Sequence, residues 1–164
     1  MNTALLAELK QESVNTKRLL ECLPSDNLDW TPHEKSMKIG KLAKHIAELP
    51  VWIGRIINAD EFDFASANWN SESKETKEDI LKLFDEKLAE ALSVLETASD
   101  ETLNKKWLVR RGEQIMFELS KKIALRNFTY NHTYHHRGQL SVYLRLLDIP
   151  VPGMYGPSAD EKMF

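Results

Sequence analysis

The residues best equipped for chemistry lie near the end of the chain, in His132-Thr-Tyr-His135-His136-Arg137-Gly138-Gln139. His132 and His136 are four residues apart, so on a helix they share one face, a turn from each other. Two imidazoles held this way can grip one divalent metal, as they do in HExxH zinc enzymes. This is not that motif, because Thr133 occupies the place of the general base. A third ligand, and any base, must come from elsewhere. Taken alone, the pair reads equally as two polar residues on a solvated or partly buried face.

The element that must carry the pair runs from Ser120 to Asp148. It has no proline and recurrent apolar residues at Ile123, Phe128, Leu140, Leu144 and Leu147, which predicts one long helix. Ser120 is the expected N-cap, and the helix should stop before Pro150. A second helix is expected from Met37 to Ala59, with Pro50 kinking it near Ile46 to Leu49. His45 precedes that kink at the border of the apolar stripe, with Trp52 on nearly the same side. In isolation His45 reads either as a satisfied edge histidine or as the missing ligand. Helices are also expected over residues 2–22 and from about Lys74 to Ser99, the latter begun by Ser73 with Glu75 and Thr76. Residues 105–117 suggest a short β-hairpin, with Gly112 in a positive-φ turn position; Arg110 and Arg111 read as solvated turn residues or, alternatively, as facing a substrate anion.

Four long amphipathic helices predict an all-α, four-helix bundle with a short hairpin between the third and fourth helices, as a single domain over residues 1–164. Bundles commonly build metal sites from side chains on facing helices. If the second and fourth helices face each other, His45 meets His132 and His136.

Composition narrows the partners. The 164 residues are 42% hydrophobic and 29% charged, with a net charge of −3, as in ordinary globular domains. No basic run interleaves with aromatics, which argues against nucleic acid. The single cysteine, Cys22, permits no internal disulfide, suits a cytoplasmic location and reads as a small core residue. The first residues lack the pattern of a signal peptide, and no apolar run approaches the roughly 20 residues of a membrane span. Trp30 is expected as a core plug. Phe62, Phe64 and Trp69 should pack the loop at 60–74 down, and the Pro- and Gly-rich tail after Ile149 should fold back over the bundle.

The pieces together resemble a known family. Trp30-x-Pro32, Ser36-Met37, Leu42-x-x-His45-Ile46 and Trp52 are followed by His132-x-x-x-His136-Arg-Gly-Gln-Leu and a closing Ile-Pro-Val-Pro-Gly-Met-Tyr-Gly. This combination is similar to the DinB-like, or YfiT-like, family of small metal-dependent enzymes. The resemblance implies a four-helix bundle, often a homodimer, in which His45, His132 and His136 hold one divalent metal, zinc or nickel in many members. It also implies a small-molecule substrate. Relatives include transferases and isomerases that use a low-molecular-weight thiol, and others that look like hydrolases. Three neutral imidazoles leave a coordination position open, and a metal so held activates water or a thiol. The residues do not choose between these activities, nor do they exclude a non-catalytic metal- or ligand-binding protein. His135 reads as surface or as support for the ligands, and Gln139 as a residue able to line the pocket. Tyr134, Tyr143, Tyr155 and Asp160 are further candidates for that lining. Arg137 and Gly138 read as packing residues, through a salt bridge and a close helix approach. His33, on a loop, is left out of the site.

Overall fold

The computed structural model describes residues 2–66 and 75–162. The expectations placed on Trp69, Ser73 and Lys74 lie outside them. The chain is mostly helical and carries a small mixed sheet, which corrects the all-α expectation. Helix α1 spans Asn2–Leu20. The expected second helix is two helices, α2 (Ile39–Glu48) and α3 (Val51–Asn58). Pro50 has no N–H to donate, and Leu49 instead closes a tight turn onto the Ile46 carbonyl at 3.3 Å. Leu49 and Pro50 both keep right-handed helical dihedrals, so the run kinks through a tight turn, as Pro50 leads one to expect.

Helix α4 (Lys77–Thr97) begins at a capping box. Thr76 Oγ1 accepts from the Asp79 N–H at 3.1 Å, and the Asp79 carboxylate accepts from the Thr76 N–H at 3.0 Å. Two otherwise orphaned donors are satisfied reciprocally. A short helix, α5 (Asp100–Asn104), follows where the sequence suggested only a connection. The expected hairpin is present as β2 (Lys106–Arg111) and β3 (Gln114–Ser120), and Gly112 takes φ +60° at its turn. Arg110 lies in β2 rather than in the turn, and its guanidinium pairs with Glu61 at 2.6 Å. Glu61 belongs to β1 (Glu61–Asp63), which pairs parallel with β2, so the sheet order is β1-β2-β3. Three residues are too few to show the alternation that marks a strand in sequence.

The Ser120–Asp148 run is helical, but not as one α-helix. It consists of α6 (Lys121–Leu125), a π-helical turn (Arg126–Asn131) and α7 (His132–Leu146). The π turn carries an extra residue and shifts the helical phase. Ala124 and Thr129 are both buried, as are Leu125 and Tyr130, each pair five residues apart. The inward side of α6 therefore presents Lys121, Ala124 and Leu125. Ile123, expected on the buried stripe, lies opposite and is 45% exposed. Buried Lys121 is explained by its ammonium, which donates to the Ile57 carbonyl at 3.0 Å and so satisfies the last turn of α3. At its other end α7 stops in a Schellman motif. Asp148 takes φ +56°, its N–H bonds to the Arg145 carbonyl, and the Ile149 N–H bonds to the Leu144 carbonyl, each at 3.0 Å.

The interior has two apolar clusters. One gathers Leu5, Leu49, Trp52, Ile53, Leu95, Trp107 and Tyr130 toward the sheet. The other gathers Leu19, Leu42, Ile46, Phe84, Leu140 and Leu144 at the opposite end. Trp107 is fully buried in the first. Trp30 only packs against the edge of the second, in a T-shaped contact with Tyr143 at 5.7 Å, so it is not the plug that was expected. Cys22 is half-buried beside that same cluster. Its thiol donates to the Arg18 carbonyl at 3.3 Å, and burial pushes its pKa up, consistent with a packing role. The tail after α7 lies back over α1. Arg18 bonds to the Gly153 carbonyl at 3.1 Å and Asn15 to the Met154 carbonyl at 3.4 Å.

Candidate metal centre

Helix α2 passes from one apolar cluster to the other just beyond His45. Leu42, Ile46 and Ala47 belong to one, Leu49 to the other. The π turn and α7 make the same passage between Tyr130 and Leu140, and His132 and His136 lie in that interval. The two crossings face each other, which brings the three histidines together. One ring nitrogen from each lies within 4.8 Å of the other two. The Nε2 atoms of His45 and His132 are 3.3 Å apart, and the ring centres are separated by 4.6 to 5.0 Å.

The electrostatics favour neutral rings. Burial holds the His45 pKa down at about 4, helped by repulsion from His136, His132 and Lys41. Burial also lowers His132 and His136, with repulsion from His136 adding at His132 and from His135 at His136. Uncharged imidazoles with free lone pairs are what a metal requires. One further contact orients a ring. His136 Nδ1 lies 2.7 Å from Gln139 Oε1. An acceptor at Nδ1 leaves Nε2 deprotonated and free to coordinate. Tetrahedral nitrogen ligands about 2.0–2.1 Å from one zinc ion stand about 3.3 Å apart, which is the His45–His132 spacing. Three imidazole nitrogens are a donor set that fits a divalent cation, with the His45–His132 pair already at that separation.

This architecture has known counterparts. The DinB family model matches residues 1–163. The chain belongs to the DinB family. It is 25% identical over 151 residues to the uncharacterized protein YrdA of Bacillus subtilis (strain 168), covering 92% of this chain and 85% of that one. The fold resembles the crystal structure of a DinB-like protein, YjoA, from Bacillus subtilis with a TM-score of 0.69 at 22% identity, covering 90% of this chain and 96% of the other. A DinB-like protein from Bacillus cereus ATCC 10987 aligns with a TM-score of 0.71 at 21% identity, covering 92% and 95%.

The other candidate residues are engaged elsewhere. Tyr134 donates to Glu8 at 2.6 Å. Tyr155 donates to Glu12 at 2.7 Å and also meets Arg137. Tyr143 meets Trp30 edge-to-face, and Asp160 accepts from Arg145 and the Val151 N–H. His135 is exposed, with its ring 4.8 Å from that of His136. His33 accepts from the Lys35 N–H within its loop. Arg137 forms the expected salt bridge, to Glu12, and is 4% exposed. Gly138 is not a close-approach residue, since a Cβ added there would meet nothing within 4 Å. Sequence reading misses the orienting acceptor: it takes Gln139 only as a lining residue, although the i,i+3 spacing from His136 is legible.

Proposed function

We propose that His45, His132 and His136 hold one divalent cation, zinc or nickel, and that the protein uses it to act on a small molecule by thiol transfer or hydrolysis. The observation that carries this reading is the convergence of three buried-side imidazoles from α2 and α7 on one point. Bound there, a divalent cation supplies Lewis acidity, which lowers the pKa of a coordinated water or thiol. The chain's own part is to keep the three rings neutral by burial and to hold His136 by its second nitrogen. Three protein ligands are fewer than a closed structural site employs, which favours an exchangeable position over a purely structural ion. The reading takes the helical runs α1, α2–α3, α4 and α6–α7 as one four-helix bundle domain. Family resemblance extends it to a homodimer.

Elemental analysis of tag-free protein, wild type beside His45→Ala, tests it. Near-stoichiometric zinc or nickel in wild type and its loss in the variant are expected. Equal metal in both would remove His45 from the site. No uptake by wild type after incubation with either ion would remove the metal centre altogether. With metal established, turnover of electrophilic substrates with low-molecular-weight thiols, or of ester and amide substrates in water, separates the two reaction types. Inactivity toward both classes would favour a metal-binding protein without catalysis.

A further inference from the structure

We propose that Gln139 is a positioning residue of the three-histidine centre, fixing His136 in the Nδ1–H tautomer so that Nε2 points into the cluster. This rests on the metal-site reading above and adds a residue to it. His136 is 7% exposed, so solvent has little access to orient its ring. Its Nδ1 lies 2.7 Å from Gln139 Oε1, the strongest directional contact that ring makes. Gln139 is three residues on along the same helix, a spacing that places the two side chains side by side. The side chain is half-buried within α7, so its rotamer is restricted.

The chemistry of the acceptor matters as much as its place. A neutral imidazole has one N–H and one lone pair, and the nitrogen that donates cannot ligate. With Oε1 accepting from Nδ1–H, the lone pair resides on Nε2. An amide rotated by half a turn would instead donate its NH₂ to Nδ1 and leave a proton on Nε2, which would oppose coordination. Rings without such a partner sample both tautomers and must reorganise before binding. An amide also lends the imidazole less basicity than a carboxylate partner would.

Two variants test the role. Gln139→Leu keeps the bulk and removes the acceptor. Gln139→Glu restores an acceptor and adds charge. Zinc alone is the probe, titrated by competition with a chromophoric chelator, and circular dichroism checks that both variants fold. The His136 tautomer is read from long-range ¹H–¹⁵N correlation spectra of the zinc-free proteins. Expected are an Nδ1–H tautomer in wild type, its loss in Gln139→Leu with about tenfold or greater weakening of zinc binding, and recovery of both in Gln139→Glu. Wild-type zinc affinity in Gln139→Leu, or an unchanged tautomer, would overturn the positioning role while leaving the three-histidine site intact. Failure of Gln139→Glu to recover either property would also overturn it. Failure of wild type to bind zinc more tightly than a His45→Ala/His132→Ala double variant would overturn the metal reading and this role with it.

Discussion

At the scale of single residues, the histidine cluster makes a prediction about acid. An unfolded imidazole titrates near 6.5. In the native protein His45 is held at about 4, and His132 and His136 are also lowered. Between those values the unfolded chain takes up protons that the native chain refuses. Stability therefore rises with pH across this window, is at its full value above about 6.5, and is lost as the pH falls toward 4. Metal-free protein should melt at a distinctly lower temperature at pH 5 than at pH 7. The difference should shrink in His45→Ala, measured by calorimetry in matched buffers. Equal pH dependence in the two proteins would show that the cluster is not the titrating unit. The members of the cluster were legible in the sequence because His132 and His136 lie one turn apart and the DinB resemblance pointed to His45. Their protonation was not legible, since it depends on burial and on an acceptor that only the folded chain puts in place.

At the scale of elements, long runs with a clear stripe were readable, and local breaks were not. The four helical runs are present, yet Pro50 divides one of them and the π turn interrupts another. Proline advertises itself, although how far the chain bends depends on what its neighbours can pack against. The π turn leaves no composition signal, because Arg126 to Asn131 would also suit an α-helix. It shows only in the burial of Ala124 with Thr129 and of Leu125 with Tyr130. The contact between α1 and α7 depends on Arg137, whose guanidinium reaches the Glu12 carboxylate, the Glu12 carbonyl at 3.0 Å and Thr16 Oγ1 at 3.3 Å. Removing one partner of a buried pair leaves the other charge uncompensated. Arg137→Ala should cost on the order of 3 kcal/mol, read as a lower urea midpoint at unchanged slope. A midpoint like that of wild type would show that α1 and α7 hold together without this clamp.

At the scale of the whole molecule, the sheet and the helices share one core, and Trp107 joins them. It projects from β2, is fully buried, and touches Phe128 in the π turn with ring centres 5.4 Å apart. Its indole N–H has no hydrogen-bond partner. Trp107→Ala should therefore destabilise by about 3–5 kcal/mol, whereas Trp107→Phe should cost much less, since it loses no hydrogen bond. Trp30→Ala, at the edge of the other cluster, should fall below the Trp107→Ala value. Thermal melts of the three variants check the order, and a Trp30→Ala loss as large as that of Trp107→Ala would reverse it. Trp30 in its loop looks like a plug in sequence, whereas the inward face of β2, with Trp107 and Val109 buried, shows only once the sheet is packed on the helices. The parallel strand β1 was equally hidden, being joined to β2 only across the whole of α4 and α5.

The separation of His45 from His132 along the chain, 87 residues, has a consequence for how the molecule comes together. Neither histidine group can complete the cluster until the first and last thirds of the chain have docked, and α4 and the sheet lie between them in sequence. Helix formation is local and fast, while this closure is distant and comes later. On the proposed reading, cobalt supplied during refolding would act as a clock for that late event. Its absorption bands should appear after helical circular dichroism has developed, with a time course set by the docking of α2 on α7.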